Sequence, residues 1–225
     1  FCSKEKLKVI ANGSSNGIDT DHYDLKNVSK ESVDEIRERL NISPKDSVFL
    51  FIGRIVKDKG INELIEAFND ISESSSHVQL ILVGYKEHKL DPISSNTELL
   101  IRNNDKIHEV GNISDIRPYV ALSSMLTLPS YREGFPNVVL QASCMEKPCI
   151  VTDINGCNEI ITDNYNGLII PVKDSAALKE AMLYLHNNPN KLQELAKNAR
   201  QNIIDKYKRD LVWKELLDLY NNLDK

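Results

Sequence analysis

The chain has little of what marks a disulfide scaffold, a metal-stapled domain, a membrane span or a nucleic-acid binder. It carries four cysteines, Cys2, Cys144, Cys149 and Cys157, in 225 residues, and no pair of them has zinc-ligand spacing. They read as small buried apolar residues in a reducing cytoplasm. The five histidines, His22, His77, His88, His108 and His186, are scattered and form no catalytic pairing or cluster, so no metal site is expected. No apolar run approaches the roughly 20 residues that span a bilayer. The first ten residues lack the apolar core of a signal peptide. Basic residues give no excess: the net charge of −5 argues against a nucleic-acid partner, because phosphate backbones select basic surfaces. There is no internal repeat, low-complexity tract or heptad run. The first residue is Phe1, not Met, and the chain is expected to be a fragment or to be trimmed at its N-terminus.

Short apolar runs, by contrast, recur. Ser47–Gly53, Val78–Gly84, Met125–Leu128, Pro148–Asp153 and Leu168–Pro171 are continuous rather than alternating, the pattern of parallel strands covered on both faces. Lys106–Gly111 alternates in part, and Leu7–Ile10 reads as one further short strand. Helices are expected over 29–40 with Ser29 as cap, over 61–72, over 98–104, after Asn112–Asp115 with Ser114 as cap, after Gly134, from Asp174 to Leu185, from Pro189 to about Tyr207, and over 210–223. The stretch 90–97, with Pro92, reads as a surface loop, and Glu159–Ile161 as a short apolar piece. The last helix carries Leu211, Trp213, Leu216, Leu217 and Tyr220 on or near one face, which either packs on its own domain or stands exposed. Strands and helices alternate about six times, so the expected fold is α/β, a doubly wound parallel sheet.

Two stretches carry chemistry. In the first, Tyr131–Ala142, a strand ends, Gly134 allows a tight turn, and a helix begins with Pro136 at its first position. The free amides of that helix start, around Gly134, Phe135, Pro136, Asn137 and Val138, make an anion site. Beside it Glu133 can grip sugar hydroxyls, and Gln141 lies one turn beyond Asn137 on the same face. In the second stretch, Gly53 and Arg54 follow a strand, and Lys57, Lys59 and Gly60 precede a helix. Cations beside a helix N-terminus favour a diphosphate, although solvated loop charges give the same pattern. Asn12–Asp19 holds two Asn-Gly pairs and reads as a loop or hinge.

These motifs resemble the retaining GT-B glycosyltransferases that use sugar nucleotides (glycosyl transferases group 1). The resemblance covers about residues 7–223. In that family a Glu, seven residues and a second Glu mark the donor site; Glu133 stands in the first place and Gln141 in the second, where it can still donate and accept hydrogen bonds to a diol. Gly53-Arg54 and Lys59-Gly60 match a family pairing. The resemblance implies a Rossmann-like C-terminal half of a GT-B fold, with residues 1–27 as interdomain linker and 28–225 as the donor-binding domain. It implies that Arg54 and Lys59 hold the donor diphosphate, Glu133 the sugar, Gln141 the ribose and Ile113 the base, while Glu159 is a further candidate. The donor is expected to be a UDP-sugar and no metal or other cofactor is expected. The acceptor, a glycan or lipid-linked hydroxyl, would sit on a missing N-terminal domain, in the cytoplasm or at the inner face of the membrane. A nucleotide-sugar-binding module without catalysis, suggested by Gln141, and a GT-B sugar-nucleotide epimerase are the alternatives.

Overall fold

The computed structural model describes residue 3, residues 7–14 and residues 16–223. Cys2 and Ser15 lie outside the described residues. Six strands, β1 (Ser47–Ile52), β2 (Val78–Val83), β3 (Ile107–Gly111), β4 (Met125–Leu128), β5 (Cys149–Thr152) and β6 (Gly167–Ile170), form one sheet. All pair in parallel in the order β3-β2-β1-β4-β5-β6. This is the doubly wound Rossmann-like order, and the expected fold class holds. The continuous apolar runs are explained by cover on both faces: every residue of β2, β4 and β5 is buried. The edge strand β3 is buried at Ile107, half-buried at His108 and Val110 and exposed at Glu109 and Gly111, which accounts for its partial alternation.

The helices are α1 (Lys30–Arg39), α2 (Ile61–Ser74), α3 (Ser95–Asn103), α4 (Arg117–Leu122), α5 (Asn137–Cys144), α6 (Cys157–Ile160), α7 (Ser175–Asn187), α8 (Pro189–Lys206) and α9 (Arg209–Leu223). Leu64, Ile65, Phe68 and Ile71 of α2, at helical spacing, are fully buried. Helix α2 packs beside α7, and α5 beside α8. Ser29 caps α1 through the Ser32 amide, and Asp174 caps α7 through the Ala177 amide at 2.8 Å. Cys144, Cys149 and Cys157 are buried free thiols, as expected, and burial pushes each up to about 12.

Several local expectations need correction. Leu7–Ile10 forms no strand; Leu7 and Val9 are exposed, and a strand pattern without a sheet edge to pair with leaves its backbone to solvent. Helix α3 starts within the stretch read as loop, because Ser94 accepts the Thr97 amide at 3.1 Å and Thr97 Oγ1 bonds Asn62 Oδ1 at 2.7 Å. Ser114 does not cap α4: Ile116 occupies the cap position, and Asp115 Oδ1 accepts the Arg117 amide at 3.0 Å. Glu159–Ile161 belongs largely to the short helix α6.

The two ends of the described chain meet. Ile18 N donates to Tyr207 O at 2.8 Å, and Arg209 N returns to Ile18 O at 3.0 Å. Glu215 of α9 accepts the Ala11 amide at 2.8 Å, and Trp213 Nε1 reaches Asn16 Oδ1 at 3.1 Å. Val212 is buried, but Leu211, Trp213, Leu217 and Tyr220 of α9 are exposed, so this part of its surface is not covered by the chain's own domain.

Candidate functional site

In the strand order, β1 and β4 are neighbours whose chain continuations run to opposite sides of the sheet. The crevice between them is the topological switch point, where open α/β sheets take ligands. The loop after β1 (53–60) and the loop after β4 (129–136) both open there, and they are stitched together. Gly60 has a φ of +69°, and a Cβ on it would fall on the Pro129 carbonyl. Tyr131 N donates to Asp58 O at 2.8 Å. Arg132 donates to Asp58 Oδ2 from Nε at 3.1 Å and pairs with it from Nη2 at 3.0 Å.

At the seam, Lys59 Nζ lies 2.7 Å from Glu133 Oε1, and both side chains are mostly buried. Ser130 Oγ donates to the same oxygen at 2.8 Å. Arg54, Asp58, Lys59, Arg132, Glu133 and Gly134 line an open cavity of about 390 Å³. Arg54 is exposed and makes no ion pair with a described residue. The structure thus brings together Arg54, Lys59, Glu133 and Gly134, which lie up to 80 residues apart in sequence.

Helix α5 begins at Asn137, with Pro136 at the cap and not at the first helical position. Gly134 does not owe its place to a left-handed backbone; a Cβ there would meet nothing, so the glycine keeps the cavity wall bare. The close approach belongs to Gly156, whose Cβ would fall on the Gly134 carbonyl. Phe135 sends its ring away to pack on Tyr207, with centroids 5.7 Å apart. The amides of Gly134, Phe135, Asn137 and Val138 make no hydrogen bond to a described backbone group, which leaves them for an anion.

Gln141 and Ile113 do not line this cavity. Gln141 Nε2 donates to Tyr23 OH at 2.7 Å. Ile113, in the loop after β3, is half-buried against the core. Glu159 turns to its own helix, Oε1 accepting the Gly156 amide at 3.1 Å. Sequence reasoning missed Asp58, Ser130 and Arg132. Only the adjacency of Arg132 to Glu133 and of Asp58 to Lys59 pointed to them. Behind the cavity, Tyr131 OH donates to Glu63 Oε1 at 2.7 Å; burial and that carboxylate push the phenol well above its ordinary range. Among the described residues, no group of three or more His, Cys, Asp or Glu is placed to hold a metal ion. No described helix is long and apolar enough to cross a membrane.

Chemically, the arrangement offers cations and free amides to an anion, and a carboxylate to hydroxyl groups next to it. Comparison with known proteins agrees with that reading of the fold. The family described as Glycosyl transferases group 1 matches residues 32–202. A capsular polysaccharide biosynthesis glycosyltransferase, CapM of Staphylococcus aureus, is 30% identical over 98% of this chain and 57% of its own length. The N,N'-diacetylbacillosaminyl-diphospho-undecaprenol alpha-1,3-N-acetylgalactosaminyltransferase of Campylobacter jejuni is 32% identical over 88% of this chain and 50% of its own. The chain therefore spans about half the length of the curated relatives it matches. Among solved structures, Anabaena Alr3699/HepE in complex with UDP superposes with a TM-score of 0.86 at 20% identity, over 98% of this chain and 58% of that one. A glycosyltransferase from Rickettsia africae gives the same TM-score at 22% identity, over 99% and 59%. The family match covers most of the chain, and the chain belongs to the glycosyl transferases group 1 family.

Proposed function

We propose that this chain binds a nucleoside diphosphate sugar, with UDP as the nucleotide. It is the donor half of a glycosyltransferase that passes the sugar, with retention of configuration, to a hydroxyl of a glycan or lipid-linked acceptor. The observation that carries the reading is the Lys59–Glu133 pair in a cavity shared with Arg54, at the switch point of the sheet. A donor of this class has a diphosphate for the cations and sugar hydroxyls for the carboxylate. The UDP held by the Anabaena relative and the undecaprenol-linked name of the Campylobacter relative support the nucleotide and the acceptor class. In this reading residues 28–225 are the donor domain, 1–27 lead in from an acceptor-binding part, and the protein works at the inner face of the cell membrane.

As the bond from sugar to diphosphate breaks, negative charge grows on the departing phosphate. Arg54, Lys59 and the amides around Gly134 stabilise that charge from fixed positions. Glu133, held by Ser130 and Lys59, orients the sugar ring. The chain's own groups supply this charge stabilisation, so no metal is needed, and the leaving phosphate takes the acceptor's proton.

Calorimetric titration with UDP, GDP and ADP tests the reading, and selective binding of UDP is expected. Arg54→Ala and Lys59→Ala should each weaken UDP binding about ten- to a hundredfold, the loss of one charge-assisted hydrogen bond of ~1.5–3 kcal/mol. If both variants bind like wild type, the cations are solvated loop charges and the proposal fails.

A further inference from the structure

Tyr131 stands two residues before Glu133 and is gripped by three other segments of the chain. Its amide donates to Asp58 O at 2.8 Å, in the loop after β1. Its hydroxyl donates to Glu63 Oε1 at 2.7 Å, in the first turn of α2. Lys173, in the stretch after β6, places its ammonium 4.8 Å from the centre of the ring, where the face of the aromatic system attracts a cation.

The hydroxyl bond matters to both partners. Among the described residues the phenol is the one donor to the Glu63 side chain, and Glu63 Oε2 is buried without a partner. A hydrogen bond to a carboxylate in such a place is of the stronger, charge-assisted kind. Burial and the adjoining carboxylate keep the phenol protonated, so it always acts as the donor.

This tether straddles the ion pair of the cavity. Glu63 comes four residues after Lys59, and Tyr131 two before Glu133. In the empty site Glu133 Oε1 is held by Lys59 and by Ser130. A diphosphate that takes Lys59 removes one of these holds, and the carboxylate must then be kept in place by its backbone. On the far side of Glu133 the backbone is set by Gly134, whose carbonyl occupies the Cβ position of Gly156. On the near side it is set by Tyr131. We propose that Tyr131, anchored on Glu63, is a positioning residue that holds the Glu133 carboxylate at the donor sugar once the diphosphate has drawn Lys59 away. The inference rests on the donor-binding function proposed above.

The test measures two affinities on the 225-residue chain. One is for UDP. The other is for whichever of UDP-glucose, UDP-N-acetylglucosamine and UDP-N-acetylgalactosamine wild type binds most tightly. Tyr131→Phe keeps the ring and removes the hydroxyl. Its preference for the sugar nucleotide over UDP should shrink at least about threefold, while UDP itself binds within about twofold of wild type, because Arg54 and Lys59 do not depend on the phenol. Its Tm should fall, since Glu63 is left buried without a donor. Tyr131→Phe/Glu63→Leu replaces both partners by apolar groups and should regain the Tm without regaining the preference. Glu63→Gln keeps an oxygen for the phenol and should keep the preference. A Tyr131→Phe chain with wild-type preference overturns the inference, as does a Glu63→Gln chain that loses it. So does a double variant in which Tm and preference recover together, which is the mark of a bond that only stabilises the fold. A wild type that binds UDP and prefers none of the three sugar nucleotides also overturns it, and leaves the UDP site standing. A chain that binds no nucleotide overturns the donor-binding function as well.

Discussion

Single side chains in this molecule are set by what surrounds them. The ammonium of Lys147 is turned inward and donates to Ala121 O at 3.0 Å and Ser123 O at 2.7 Å. Burial pushes its amine down to about 8, against the opposing pull of the Glu146 carboxylate. From pH 8 up to the ordinary lysine value, the unfolded chain holds a proton that the native chain has released. Stability must then rise with pH through that window. The buried thiols act oppositely at higher pH, so the comparison is made with Lys147→Met, which keeps them. Measured by urea unfolding, wild type should gain about 1 kcal/mol or more on Lys147→Met between pH 8 and 10; parallel profiles would show that the carbonyls hold the proton in place. At Glu133 the logic is reversed. Glu133→Gln releases Lys59 from its counter-ion, so UDP should bind as tightly as before or up to about tenfold tighter. UDP-sugars should lose any advantage over UDP. Weaker UDP binding in Glu133→Gln would show that the carboxylate holds Lys59 in position more than it competes for it.

At the scale of elements, the site depends on two loops held in contact. Gly60 is the pin: its backbone is left-handed and its Cβ position is taken by the Pro129 carbonyl. Gly60→Ala should cost about 3 kcal/mol or more of stability, strain and overlap together, and any folded fraction should bind UDP poorly. Unchanged stability in a denaturant titration would mean that the loops can part freely. The strands were legible because burial on both faces writes them as uninterrupted apolar runs, and caps such as Ser29 and Asp174 could be read from one side chain three residues ahead of its target amide. What was not legible depends on distance. Leu7–Ile10 has strand residues but no edge to pair with, and nothing local says so. Ser94 gains its capping role together with the Thr97–Asn62 bond from another helix. Arg54, Lys59 and Glu133 were found by spacing within a known pattern. Ser130, three residues before Glu133, carried no cue of its own, and the Asp58–Arg132 and Tyr23–Gln141 pairs come from long-range packing that spacing does not encode.

At the scale of the whole molecule, the chain spans about half of the two curated relatives named above, and both carboxylates that line the cavity are engaged, Glu133 with Lys59 and Ser130 and Asp58 with Arg132. We predict that the purified chain binds donor and transfers no sugar; detectable transfer to any glycan or lipid acceptor would falsify this. The exposed Leu211, Trp213, Leu217 and Tyr220 on α9 lie on the same helix that holds the Ala11 amide through Glu215. The two ends of the described chain are therefore tied to each other through Glu215 and the Ile18–Tyr207 and Arg209–Ile18 hydrogen bonds. The ion pair at the seam has a wider consequence. A cell is full of free phosphate, nucleotides and sugars. Phosphate alone would have to draw Lys59 from its carboxylate and leave that carboxylate unanswered; a free sugar would meet Glu133 with the lysine still in attendance. In the proposed function, a molecule that presents an anion and hydroxyls together satisfies both at once, so the pair ranks the whole donor above inorganic phosphate, the free nucleotide or the free sugar.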